Sequence, residues 1–268
     1  MSSRSVDSLS GLPSVLPFES PASWLSRAAQ SQGVGITMFL KHLGLRRGVD
    51  VDLVFLSGRF QRLARACGLG PEAFSEARKV MASLRRLDPG GGSFLYRRRH
   101  MARYRICPRC LASQHTPHFG LQCRLEAWRH CPEHGCMMED ACWRCGQAVE
   151  LPISPGIDGP RKANCYSLAQ CVRCGAKHRD GPTTDFVDVK ERLDPLERAI
   201  LLNGAALPAA LFQRRVRIQG GAEHSLAHLR QLNKMGLLAR KGYGPTAARW
   251  RAREVEAAAM DSRRLTGA

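Results

Sequence analysis

Cys107-Pro108-Arg109-Cys110, Cys131-Pro132-Glu133-His134, Cys142-Trp143-Arg144-Cys145 and Cys171-Val172-Arg173-Cys174 organise this chain. In each, two metal-ligating side chains are separated by two residues, a gap that closes a tight turn and points both at one ion. Taken in order, the pairs make one site from Cys107, Cys110, Cys131 and His134, and a second from Cys142, Cys145, Cys171 and Cys174. Thiolate and imidazole donors in fours suit zinc, which asks only for tetrahedral coordination. A catalytic zinc keeps one position open, and here protein ligands fill all four. Two structural Zn2+ ions are therefore expected. Pairing stays open at this level, because a cross-brace joining the first and third pairs would satisfy every ligand as well. Cys123, Cys136, Cys165 and His178 are spare candidates, and each also reads as an ordinary small buried or surface residue.

Disulfides and iron are the competing readings. Residues 1–20 lack the basic stretch followed by an apolar one that marks a secretory leader. In a leaderless chain, an odd total of 11 cysteines favours metal over disulfides. An iron-sulfur cluster or a rubredoxin-like iron could use the all-cysteine set. His134 and the absence of a flavin or dinucleotide fingerprint weigh against redox work.

Outside the metal region the pattern is helical. Trp24, Leu25, Ala28 and Ala29, then Ile36, Phe39, Leu40 and Leu43, have helical spacing broken at Gly33-Val34-Gly35. The frame recurs 35 residues later: Ala29, Gly33, Val34, Gly35 and Phe39 correspond to Ala64, Gly68, Leu69, Gly70 and Phe74. A small residue at a helix crossing, glycine at the turn and a large apolar residue beyond is the packing logic of a helix-turn-helix. Such pairs also serve as plain scaffold. Arg62, Arg65, Arg78 and Lys79 either meet phosphates or form a solvated face.

Net charge is +18 with a pI near 10.1. Of the 41 basic residues seven are lysine, leaving 34 arginines, whose planar fork matches phosphate and acidic surfaces. A GC-rich genome would account for part of that excess. The densest positive stretch follows the linker Asp88-Pro89-Gly90-Gly91-Gly92-Ser93. It contains Arg97, Arg98, Arg99, Arg103 and Arg105 among Tyr96, His100 and Tyr104, with no acid in residues 94–110. Those five arginines are the candidate contacts to nucleic acid or an acidic partner; the competing reading is a solvated lead into a zinc finger. Nothing approaches the roughly 18 consecutive apolar residues of a membrane span.

Near the C-terminus, Leu193–Leu202 and Ala222–Met235 read as helices, the latter with Leu226, Leu229, Leu232 and Met235 on one stripe. The run Gly236 to Pro245, with Arg249 and Arg251 beyond, resembles the strand and turn of a winged helix. His228, Arg230 and Lys234 would then face a DNA groove. A plain helical bundle fits equally. The expected fold class is mainly α with small zinc-binding modules. Residues 1–15 form a disordered N-terminus and 16–88 a duplicated helix-turn-helix-like unit. Residues 94–180 carry the basic segment and tandem zinc fingers, and 188–268 a helical or winged-helix module. Apolar residues in the metal region look too scattered for a conventional core, so metal would supply the folding free energy there. Phe119, Leu121, Leu125 and Trp128 are expected around the first site.

Two motifs together resemble the TniQ family of transposition proteins. One is the opening run Leu16-Pro17-Phe18-Glu19-Ser20-Pro21-Ala22-Ser23-Trp24-Leu25. The other comprises Cys107 to Leu111, Trp128, Cys131 to Gly135 and Cys142 to Gly146. The resemblance covers roughly residues 16–146 and leaves Cys171 and Cys174 resting on spacing alone. It implies a non-enzymatic target-selection adaptor in the bacterial cytoplasm, at the nucleoid. Such a protein links target DNA, or in some relatives an RNA-guided CRISPR complex, to an AAA+ ATPase regulator and the transposase. Homodimers are compatible with it. A zinc-containing helix-turn-helix transcriptional regulator would use the same parts, and a zinc-dependent nuclease is the enzymatic alternative. Signatures of metalloproteases, P-loop hydrolases, serine hydrolases and zinc deaminases are missing. Asp140, Asp180 and Asp194 form no sequence constellation for strand transfer.

Overall fold

The computed structural model describes residues 9–45, 49–56, 60–90, 92–98, 101–153, 167–217 and 222–238. Helix α1 (Pro21–Ser31) shows why the opening motif is written as it is. Ser20 is the N-cap, accepting from the Ser23 N–H at 3.1 Å, and Pro21 occupies the first turn where its missing N–H is harmless. Trp24 and Leu25 are fully buried, and the indole donates to the Pro13 carbonyl at 2.8 Å. The sequence puts 9–15 in a disordered tail. In the structure Leu9, Leu12 and Val15 pack against the core, and Arg27 and Gln32 donate to the Ser14 and Ser10 carbonyls.

The duplicated frame appears as two matched helix ends. α1 closes with Val34 N–H donating to Ala29 O at 3.2 Å across Gly33 (φ +64°), and α2 (Ile36–His42) follows. After α3 (Val51–Leu56), α4 (Phe60–Ala66) closes with Leu69 N–H to Ala64 O at 2.8 Å across Gly68 (φ +64°). Both are left-handed caps of the kind glycine allows without strain. The copies then diverge. Phe39 lies inside α2, whereas Phe74 is the left-handed N-cap (φ +58°) of α5 (Ser75–Leu87), its ring edge-on to Trp24 at 5.7 Å. α1 packs on α2 and α3, and α3 on α5.

The metal region contributes hairpins and short turns: β1 (Arg97–Arg98) with β2 (Met101–Ala102), α6 (Pro108–Ser113), and β3 (His130–Cys131) with β4 (Cys136–Met137). Its apolar residues are not scattered. Leu95, Tyr104, Ile106, Phe119, Leu121, Leu125 and Leu151 belong to the same continuous core as Trp24 and Leu84. Trp128 is buried in it, beside the first metal cluster. Nor is the glycine-rich connection slack: Asp88 ties it by accepting from the Gly90 and Ser93 amides at 3.0 and 2.9 Å. The opening motif is sewn to the metal region, with Leu121 N–H donating to Phe18 O at 2.8 Å and Ser20 N–H to Phe119 O at 2.9 Å. Ser23 Oγ accepts from the Phe119 amide and donates to the buried Glu19, which pairs with Arg27 at 2.6 Å.

One buried ion cluster locks the two regions. The Arg124 side chain is fully enclosed, pairing with Asp50 at 2.6 Å and Asp52 at 3.0 Å and donating to the Tyr96 and Arg103 carbonyls. Asp52 also accepts from the Ala22 amide at 3.0 Å.

After α7 (Phe186–Val189), α8 (Pro195–Gln213) is longer than the apolar run that signals it. Asp194 and Glu197 form a reciprocal capping box at its start. It lies across α5 and β3, so closely that a Cβ on Gly204 would sit 1.8 Å from Ala127 O. Residues 222–226, expected as helix, differ: Glu223–Ser225 is β6, paired with β5 (Arg215–Arg217), and α9 runs Ala227–Lys234. Of the expected stripe Leu229 is buried, Leu226 and Leu232 are partly so, and Met235 is 63 % exposed. The wing expected after Leu238, with Arg249 and Arg251, lies outside the described residues. Among the described residues no helix is long and apolar enough to cross a membrane.

Candidate metal centres

Two clusters form, each with its ligand atoms within 4.8 Å of one another: Cys107, Cys110, Cys131 and His134, and Cys142, Cys145, Cys171 and Cys174. The pairing is consecutive, and the cross-brace is not what the chain adopts. The fit to an ion is testable from the ligand edges. Zinc-sulfur bonds of roughly 2.3 Å in a tetrahedron require sulfur-sulfur edges near roughly 3.8 Å. The edges are 3.6 Å for Cys110–Cys131, 3.7 Å for Cys142–Cys174 and 3.8 Å for Cys145–Cys171. His134 enters through Nδ1, 3.2 Å from Cys110 Sγ and 3.7 Å from Cys131 Sγ. Both clusters could hold a metal ion, and their donor sets and edges suit zinc.

Local backbone explains the aim. In the second cluster the two halves are built alike. Gly146 and Gly175 donate to Cys142 O and Cys171 O, both at 2.8 Å, with φ of +67° and +73°. These are turns where a glycine directly after the second cysteine relieves strain. Short bridges, Ala141 to Ala148 and Gln170 to Lys177, close each half. In the first cluster Cys107 is the N-cap of α6, its Sγ accepting from Cys110 N–H at 3.4 Å. Cys131 and His134 come from the β3–β4 hairpin, turned at Gly135 (φ +59°).

Crowded thiols share charge badly without a cation. Bonds from the Cys110, Cys131 and Cys136 thiols hold Cys107 far below the ordinary thiol range; bonding to Cys107 in turn pushes Cys110 and Cys131 up. In the second cluster burial pushes Cys171 and Cys145 up. Burial opposes ionisation of Cys174 too, but the Ala176 amide and three neighbouring thiols outweigh it and lower that pKa. A dication would remove the conflict by stabilising every thiolate at once.

The spare candidates stand apart. Cys136 is fully buried behind the first cluster, its sulfur 3.4 Å from Cys107 Sγ, a neighbour to a ligand and not one of the four. Burial pushes the Cys123 thiol up to about 12 and takes His178 down to about 4. Neither joins a cluster, and Cys165 lies outside the described residues.

The basic segment is largely spent inside the fold. Arg105, 2 % exposed, pairs with Glu126 at 3.2 Å and stacks 3.8 Å over the Tyr96 ring. Arg103 pairs with Glu150, and Arg97 lies 3.8 Å from Asp50. Arg98 is exposed on β1, and Arg99 lies outside the described residues. Long-range acids, invisible to a scan of residues 94–110, claim these guanidiniums. Arg230, expected to face DNA, donates to the Arg86 and Leu87 carbonyls at the end of α5. His228 stacks on His224 at 4.8 Å. What the sequence reading misses is the Asp50–Asp52–Arg124 cluster, whose arginine lies 74 residues from Asp50.

Comparison with known proteins gives one family. Residues 12–138 match the TniQ family model, from the segment before the opening motif through the first metal cluster to the end of its hairpin. No curated protein and no solved structure matches. The match ends before Cys142, so the second cluster lies beyond it. Opening motif and first metal cluster, matched together and bonded to each other through Ser20, Ser23, Phe119 and Leu121, make residues 12–138 a match to TniQ, a family associated with transposition target selection.

Proposed function

We propose that this protein is a zinc-braced adaptor that links target DNA, or a DNA-targeting complex, to an AAA+ regulator and through it to the transposase. The observation that carries the reading is the TniQ match over residues 12–138. Both candidate centres are supplied with four protein ligands, which gives bound zinc a structural task and leaves no position for a reacting water. In this reading the ions hold the short turns of each centre, and the core that Cys107 and Cys131 share with Trp24 passes the first centre's order to the N-terminal helices. In this reading α1–α2 and α4–α5 serve as helix-turn-helix-like scaffolds presenting one surface to DNA or its reader and another to the regulator. The protein works at the bacterial nucleoid, as a monomer or homodimer, and an RNA-guided complex is one form the DNA reader takes.

The test is reconstitution of the zinc-loaded full chain with the AAA+ regulator encoded beside it, DNA and a non-hydrolysable ATP analogue. Co-migration on gel filtration, abolished when residues 16–88 are deleted, is expected. Absence of association under those conditions refutes the adaptor role. Tight footprinting of one operator without any regulator would mark a transcriptional regulator instead.

A further inference from the structure

Among the described residues, exposed basic side chains also gather along α5 and the end of α8. Helix α5 points Ala77, Val80, Met81, Leu84 and Leu87 inward and leaves Arg78, Lys79, Arg85 and Arg86 exposed. Ser83 fixes this helix to α8, donating to Leu211 O at 2.7 Å. Lys79 lies 5.0 Å over the Phe212 ring. α8 then ends at Arg214, a non-glycine residue in the left-handed region (φ +61°) that turns the chain into β5. Two clefts open along this seam. One, of about 550 Å³, is lined by Arg78, Lys79, Arg85 and Arg214; the other, of about 380 Å³, by Arg86, Arg214 and Arg230. Arg214 borders both, and among the described residues no lining residue of either is acidic.

We infer that this seam is a phosphate-backbone groove for duplex nucleic acid. From Arg78 to Arg86 the helix advances about 12 Å at 1.5 Å per residue. That matches roughly three to four phosphates of one strand at 3.4 Å of axis each. Arginine supplies most of the charge, and its planar fork is suited to phosphate oxygens. A protein partner would want an apolar anchor at the centre of the contact. The large apolar residues lining the first cleft, Phe74 and Met81, are each 3 % exposed and offer none. The β5 arginines, Arg215 and Arg217, pair with Glu223 and are not among the residues lining either cleft. The inference rests on the adaptor reading only in taking target DNA as the polyanion.

The test is fluorescence anisotropy of the zinc-loaded full chain on a labelled duplex of about 30 base pairs, a length chosen to exceed the footprint, titrated across salt concentrations. R78E/R85E/R214E is expected to lose about tenfold or more in affinity and to flatten the log–log salt slope by about two to three, near 0.9 per phosphate contact removed. Because Arg78 also donates to Pro71 O, the milder R85Q/R86Q is measured beside it, with an expected slope change of one to two, roughly. R98E on β1 is expected to stay within about twofold of the parent, because one peripheral charge shifts binding little. Folded variants, by zinc content and melting, that keep parental affinity and slope overturn the groove, as does a parent that fails to bind duplex at all. Regulator co-migration is followed in parallel. If it is lost while duplex affinity holds, the seam docks protein and the inference fails; if it is retained while the groove fails, the adaptor reading stands alone.

Discussion

Replacing Arg124 by methionine removes the charge that two buried carboxylates depend on. Asp52 is completely buried, and burial with the neighbouring Asp50 already lifts its pKa from the ordinary 3.8 to about 6 against the pull of Arg124. A single buried partner lost from an ion cluster destabilises by about 3–5 kcal/mol, because the surviving charges stay desolvated. The sign with pH follows from proton uptake. A carboxyl with a raised folded pKa binds protons in the folded state that the unfolded chain has released, so its contribution weakens stability as pH rises from about 4 through 6. The rise from 3.8 to about 6 is worth on the order of 3 kcal/mol. In Arg124→Met the upward pull is unopposed, and the window extends higher. Urea denaturation of zinc-saturated parent and variant at pH 8 and pH 6 isolates the effect, since metal-linked pH dependence is common to both. The expected loss is about 3–5 kcal/mol at pH 8 and smaller at pH 6. Adding Asp50→Asn and Asp52→Asn, which keeps an acceptor for the Ala22 amide, is expected to recover most of it. A loss below about 1 kcal/mol, the scale of an exposed pair, or an equal loss at both pH values refutes this account.

The remaining predictions concern the metal and the packing. Cys174→Ser should lower bound zinc from two equivalents to one by elemental analysis while leaving the Cys107–His134 centre loaded; two equivalents in the variant would contradict the four-ligand assignment. Strong chelation of the parent should abolish the cooperative melt seen by circular dichroism, as each structural zinc contributes on the order of 10 kcal/mol; a melt unchanged after verified metal removal would refute it. Gly204→Ala gains about 1 kcal/mol in an ordinary helix, but here the new methyl meets Ala127 O at 1.8 Å. A net loss of about 1–3 kcal/mol is expected by urea denaturation, and any gain in stability would show that α8 does not approach that backbone.

Spacing alone picked out the eight residues that converge into two candidate metal clusters, because a two-residue gap is a local geometric device that needs nothing distant to aim its side chains. The paired glycine-capped helix ends at Gly33 and Gly68 were legible for the same reason. Tertiary structure decided what depends on partners far along the chain. It chose consecutive pairing over a cross-brace, merged the metal region and the helices into one core, and placed Arg124 between Asp50 and Asp52. It also decided which arginines are drawn into long-range ion pairs. Arg97, Arg103 and Arg105 look free in a stretch without acids, yet Asp50, Glu150 and Glu126 reach them through the fold. Arg214 is far along the chain from the adjacent Arg78 and Lys79 and meets them only when α8 lies down on α5. Electrostatic pairing acts through space, and a linear reading sees only the neighbours along the chain.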